Sequence, residues 1–321
     1  MVGLNVGRGE TEVICAYCGQ EAKGTKEHII SCAILDLFPE CFATIDSIRG
    51  KVHLGDPMVK DVCANCNNNK ISYIDSYAKT LVSKYFLQKY EKDDVIDFVY
   101  DYSMIQKVLL KYAFNDLRSR KDDTSFFTDE ILTFLMNKDI VNPLRTVTVL
   151  AGLAVNTSPA PDYIFGNNKI RWSQNPVFLS NSIIENIDYE TGEIRHRSEN
   201  PRQEFKKMSL SYVFRFNSVQ FLLICWSEDI SDEDLQSNTV VLQYQYPYEV
   251  LTAQGHNSLS RCTSETTYHF EMLIDVSWGQ GIFDDITWMR GTYSEKSQQF
   301  LKEIEDRWQR EESNLAKKYP R

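Results

Sequence analysis

Two short cysteine pairs constrain this chain more than any other feature: Cys15-Ala-Tyr-Cys18 and Cys63-Ala-Asn-Cys66. Each C-x-x-C step can fold back so that its two sulfurs face one ion, and zinc accepts four thiolates in a tetrahedron with no position left open for chemistry. A secreted disulfide framework would be denser and in a shorter chain. A redox C-x-x-C belongs at a thioredoxin-like strand–helix junction, and neither pair has that context. The pairs therefore predict a structural Zn2+ held by Cys15, Cys18, Cys63 and Cys66, whose binding free energy is folding free energy for the segment around it. Cys32, Cys41, Cys225 and Cys262 stand unpaired by spacing. A plain zinc ribbon separates its knuckles by about 15–20 residues, whereas here residues 19–62 intervene. That insertion is expected to carry more than the metal.

The remaining chain bounds the classes of function. Of 321 residues, 42% are hydrophobic and 25% charged, an ordinary globular balance with enough chain for a sizeable core. The net charge of −10 excludes an all-over cationic coat for nucleic acid, so any such contact must be local. No apolar run approaches the roughly 18 residues of a membrane span, and the opening residues lack the apolar core of a signal peptide. The expected location is cytoplasmic, with no membrane contact.

Periodicity predicts an α+β protein in four parts: a flexible N-terminus over 1–14, a zinc module over 15–90, a helical segment over 91–145, and a mixed α+β domain with antiparallel strands over 146–321. Tyr73, Tyr77, Leu81 and Tyr85 fall on one helix face. Met104, Val108 and Tyr112 with Ile105 and Leu109 give a second amphipathic helix, and Ile131, Leu132 and Leu135 a third. Asn142-Pro143 closes the helical block, because proline disfavours helix in the residue before it. Strands are then expected at Thr146–Ala154, Val177–Leu179, Thr239–Tyr246 and Tyr268–Val276. The clearest is a hairpin in which Tyr212, Phe214 and Phe216 alternate inward, Asn217-Ser218 turns, and Val219, Phe221, Leu223 and Cys225 return. A last helix from about Ser294 carries the stripe Phe300, Ile304, Trp308, read as docked on the sheet.

The chemistry sits between and after the knuckles. Lys26-Glu27-His28-Ile29-Ile30 lies in the insertion, and Asn67-Asn68-Asn69-Lys70 follows the last thiolate directly. Clamping by zinc would bring these segments together across about forty residues. The Glu27 carboxylate and the Asn67 amide oxygen are hard ligands suited to Mg2+ or Mn2+, which keep several waters and take other oxygens from phosphate. A neutral His28 imidazole can accept a proton from attacking water near neutral pH. A base, a Lewis acid and an orienting frame are the minimum for phosphodiester hydrolysis.

The series Cys15-x-x-Cys18, Glu27-His28-Ile29-Ile30, Cys63-x-x-Cys66-Asn67 resembles the zinc-stabilised HNH endonucleases over about residues 13–80, a quarter of the chain. The resemblance implies a ββα-metal fold, His28 as the general base, Glu27 and Asn67 as ligands of the catalytic divalent ion, and DNA as the nucleic-acid substrate. The family's middle Asn has no counterpart between Ile29 and Val62, which leaves His53, Asp56 or Lys60 as its substitute. Ser31 stands where a proline commonly follows. Adjacent strand residues point to opposite faces, so Glu27 and His28 share one site only if the strand bulges or ends there.

Other readings stay open. Asn67 is also a good helix N-cap residue; Asn68 and Asn69 read as turn or cap residues, and Asp75 as a surface or partner contact. Residues 1–80 carry 8 basic and 10 acidic side chains, with Lys23, Lys26, Lys60 and Lys70 placed to meet phosphates. Arg195-His196-Arg197 with Arg202, Lys206 and Lys207 forms a second basic cluster, equally suited to backbone phosphate or a solvated loop. The alternative from another class is a non-catalytic zinc-binding adaptor for nucleic acid or protein, and a third reading is a structure-specific RNA nuclease. The domain over 146–321 is expected to recognise the target or restrain the enzyme, and to be where a regulatory partner or second copy docks.

Overall fold

The computed structural model describes residues 12–38, 43–46, 51–54, 57–91, 93–154, 169–175, 183–187, 194–198, 205, 207–245 and 248–262. The expected elements at Val177–Leu179, Tyr268–Val276 and from Ser294 lie outside the described residues, as do Asp56, Arg202 and Lys206.

Around the cysteines, β1 (Glu12–Ile14), β2 (Glu21–His28) and β5 (Met58–Cys63) form an antiparallel sheet in the order β1-β2-β5. Residues 12–14, expected to be flexible, are thus an edge strand. Between β2 and β5 the chain makes α1 (Cys32–Leu35) and a hairpin of β3 (Ala43–Asp46) with β4 (Lys51–Leu54). Ser31 caps α1, its hydroxyl accepting from the Ala33 N–H at 3.2 Å. Gly24 lets β2 and β5 approach: a Cβ there would stand 2.3 Å from the Lys60 carbonyl oxygen. After β5 come a wide π-type turn (Cys66–Lys70), α2 (Ser72–Leu81) and a second wide turn (Val82–Phe86).

The α2 face is rotated by about one residue from the tyrosine stripe. Ile74, Ala78 and Leu81 are buried, while Tyr73 and Tyr77 flank them and donate their hydroxyls to the carbonyls of Leu135 and Asp101. Tyrosine favours such a border because its ring buries and its hydroxyl finds a partner.

A short strand β6 (Ile96–Val99) leads into α3 (Tyr102–Arg120), capped by Asp101 onto the Met104 N–H and closed by Lys121 in the left-handed region at φ 62°. This helix is not amphipathic. Residues 105–117 are all buried, with Gln106, Lys107, Lys111, Asn115 and Asp116 among them. The Lys107 ammonium donates to the carbonyls of Asn137 and Ile140 at 2.8 and 2.9 Å, and Gln106 holds Leu144 and Val147, which pins the loop after α4 (Asp129–Met136).

A five-stranded antiparallel sheet follows, in the order β13-β7-β12-β11-β8. Its members are β7 (Val147–Leu153), β8 (Ile170–Gln174), β11 (Met208–Phe216), β12 (Val219–Trp226) and β13 (Glu249–Val250). The remaining strands pair in twos: β9 (Ile183–Ile187) with β10 (Ile194–Ser198), and β14 (His256–Leu259) with β6. The hairpin turns at Asn217-Ser218 as its sequence predicts, with Asn217 at φ 51°. Both of its faces are covered, however. Tyr212, Phe214, Phe216, Phe221 and Leu223 join one hydrophobic cluster; Val213, Leu222, Ile224 and Trp226 join another. The first cluster runs unbroken from Cys15 through α3 to Leu259, across the expected boundaries near 90 and 145.

Where a strand is expected at Thr239–Tyr246, residues 239–245 are instead the end of α5 (Asp232–Gln245), and Tyr246 lies outside the described residues. The β-branched run Thr239-Val240-Val241 misleads. Ser231 accepts from the Asp234 N–H at 3.0 Å, and three acids fill the first turn, so the cap and the helix dipole overrule local propensity.

Candidate functional site

The two knuckles meet. The Sγ atoms of Cys15, Cys18, Cys63 and Cys66 all lie within 4.8 Å of one another, and Cys18 and Cys63 are 3.9 Å apart. Four thiolates at about 2.3 Å from a tetrahedral zinc stand about 3.8 Å from each other, so the donor set fits that ion. Backbone groups complete the fit. The Cys63 N–H donates to Cys15 Sγ at 3.3 Å and the Cys66 N–H to Cys63 Sγ at 3.4 Å, while Gly19, at φ 69°, closes the first knuckle onto the Cys15 carbonyl. Burial raises the Cys15 thiol, yet N–H donors from Cys63, Cys18 and Tyr17 bring it down to about 7. Burial and the neighbouring thiols push Cys66 up instead. Four thiols crowded this closely favour a cation that takes the place of their protons. Among the described residues no second cluster of cysteine, histidine and acidic side chains has such ligand spacing.

The residue after the last thiolate does reach the strand of the insertion. Asn67 donates its Nδ2 to the Lys26 carbonyl and to Thr25 Oγ1, both at 3.0 Å, across more than forty residues of sequence. It is not a helix cap: it sits inside the wide turn 66–70, and Ile71 precedes α2 without a side-chain cap. With Nδ2 committed, Oδ1 is the atom left to face a ligand. Strand β2 ends at His28, and its pairing with β5 shifts register between Thr25 and Glu27. The irregularity thus lies before Glu27: Glu27 and His28 pair in step with Val59 and Met58, the regular alternation that sends neighbouring side chains to opposite faces. His28 is half-buried.

Glu27 goes elsewhere. Its side chain enters a buried network with α3, only 5% exposed. Lys111 Nζ lies 2.7 Å from Glu27 Oε1, 2.6 Å from Asp75 Oδ1 and 2.7 Å from Asp75 Oδ2. Asn115 donates to the His28 carbonyl at 2.8 Å and approaches Glu27 Oε1 at 3.4 Å; its Oδ1 accepts from Tyr17 and from Arg118, which also pairs with Asp61. Asp75 is thus an internal partner of Lys111 and not a surface contact. Burial raises its carboxyl above the usual aspartate range, with Lys111 working against that shift. A hydrated Mg2+ or Mn2+ needs an approachable carboxylate with room for waters. Glu27 in this setting does not fit that role.

Sequence reasoning missed Lys111, Asn115, Tyr17 and Arg118. A signal existed: Lys107, Lys111 and Asn115 recur every fourth residue within an otherwise apolar helix. Such a stripe usually marks a solvated face, and here it is the inward one. Asn115 holds the end of β2 through the His28 carbonyl; of the residues expected to replace the middle Asn, Lys60 is exposed on β5 and His53 has only its backbone, on β4, within the described residues. Of the second basic cluster, Lys207 pairs with Asp229, and residues 195–197 lie on β10 with side chains outside the description.

No family model matches the chain, and no curated protein or solved structure is significantly similar to it. Among the described residues, no helix is long and apolar enough to cross a membrane.

Proposed function

We propose that the chain is an HNH-type phosphodiester hydrolase acting on DNA, with a ββα-metal module formed by β2, β5 and the helical turns from Cys66 onward. The observation that carries this reading is the bond from Asn67 to the Lys26 carbonyl, beside the four-thiol cluster. It sets the residue after the final thiolate two positions along β2 from His28. At the strand's end the His28 imidazole takes a proton from the water that attacks phosphorus. Lys26 and Lys60, both exposed on the paired strands, draw the phosphate in. Mg2+ or Mn2+ would supply charge neutralisation at the phosphate; of the two residues expected to hold it, Asn67 offers Oδ1 and Glu27 is committed to Lys111. The sheet over 147–250 would then restrain or direct cleavage.

Digestion of plasmid DNA by the zinc-loaded protein tests the reading. His28→Ala is expected to abolish cleavage while zinc content and melting temperature stay near wild type; retained cleavage would refute the assignment. Cys63→Ser should lose the zinc and the fold around it, which separates structure from chemistry. The burial of Glu27 favours a second reading, a zinc-binding adaptor. That reading expects DNA or protein binding that His28→Ala leaves unchanged, and no cleavage by the wild type.

A further inference from the structure

We infer that the Lys111 ammonium is the resident cation of the Glu27 carboxylate, so that this chain binds no hard divalent ion there and uses Glu27 to position the end of β2. An ammonium has three N–H donors and no acceptor. Three oxygens stand 2.6–2.7 Å from Lys111 Nζ, two of Asp75 on α2 that it hydrogen-bonds and one of Glu27 on β2 with which it forms an ion pair. The arrangement is an oxygen cage of the kind that holds a small hard cation, filled by a side chain fully buried in the middle of α3. A divalent ion could reach Glu27 only by expelling the ammonium and stripping its own waters, because the carboxylate has almost no exposed surface. The lysine also ties three elements together. Through Lys111 and Asn115, α3 grips both the side chain of Glu27 and the backbone of His28, so the imidazole's mount is set from a helix about 85 residues away.

The inference goes beyond the hydrolytic reading and is read out separately from it, by metal binding and not by cleavage. The zinc-loaded full-length protein, Glu27→Gln and the double variant Glu27→Gln/Lys111→Met are titrated with Mn2+, following the free ion by electron paramagnetic resonance. The expected result is the same Mn2+ affinity for all three within twofold. Lys111→Gln alone, which leaves two carboxylates facing one vacated seat, is expected to gain a site at least tenfold tighter. A tenfold or greater loss of Mn2+ affinity on Glu27→Gln would overturn the inference, as would no gain in Lys111→Gln. If Lys111→Gln fails to fold, the comparison of wild type with the double variant still decides it, because that variant removes Glu27 and Lys111 together and leaves the net charge of the network unchanged.

Discussion

Helix α3 carries two buried polar networks, and neighbouring residues serve different ones. Asn115 turns toward the zinc module with Lys111, where one ammonium balances Glu27 and Asp75. Asp116 turns toward the five-stranded sheet, where a single carboxylate receives Trp172 Nε1 at 2.9 Å, the Tyr212 hydroxyl at 2.8 Å and Arg120 at 2.9 Å. On the sheet side one anion is held by three groups, two of them neutral donors. On the module side two anions share one cation. An anion held by several independent groups makes a durable joint, whereas two carboxylates on one ammonium make a joint that depends on one residue.

The largest effect should come from removing the helix altogether. A fragment ending at residue 90 leaves Glu27 and Asp75 without their cation and exposes the core shared with α3; it is expected to show no cooperative unfolding transition even with zinc bound. A cooperative, zinc-dependent transition in that fragment would dissolve the contrast, since the module would then not need α3.

Next is Lys111→Met. Removing one partner of a buried ion pair costs about 3–5 kcal/mol, whereas replacing both often costs little. Urea denaturation should therefore find Glu27→Gln/Lys111→Met more stable than Lys111→Met alone. Equal destabilisation would mean that the pair carries no special coupling.

Smaller losses should separate the adjacent residues. Asn115→Ala removes donors to His28 and Glu27 and is expected to cost about 1–3 kcal/mol, accompanied by a shift in the His28 imidazole resonance. Asp116→Asn should leave that resonance unmoved and act on pH dependence instead. Burial raises the Asp116 carboxyl above the ordinary aspartate value, against the pull of Arg120. The folded chain thus keeps this proton to higher pH than the unfolded one. The associated stabilisation is complete below the unfolded value and disappears as pH rises through the folded one. Wild type should lose stability relative to Asp116→Asn across that acidic window, and parallel curves would contradict the assignment.

What could be read in the sequence follows the reach of the forces involved. Cysteine spacing is local, so the four-thiol cluster was legible; so was the hairpin at Asn217-Ser218, whose turn chemistry is written in two residues. The approach of Asn67 to the strand of the insertion was legible because the meeting of the two knuckles fixes where the chain goes after Cys66. The partners of Glu27 were not. Lys111 and Asn115 lie far along the chain, and only packing shows that their stripe faces inward. Thr239-Val240-Val241 failed for a different reason, since a cap eight residues upstream overrode its local preference. The covered outer face of the hairpin was hidden because a run of apolar residues does not say how many faces are buried.

All of this rests on an ion that draws residues 15–18 and 63–66 together and so places Asn67 against β2. X-ray absorption at the zinc edge of the purified protein tests it most directly. The account predicts a first shell of four sulfurs at about 2.3 Å. Fewer than four sulfurs, light atoms in that shell, or no bound zinc would contradict it.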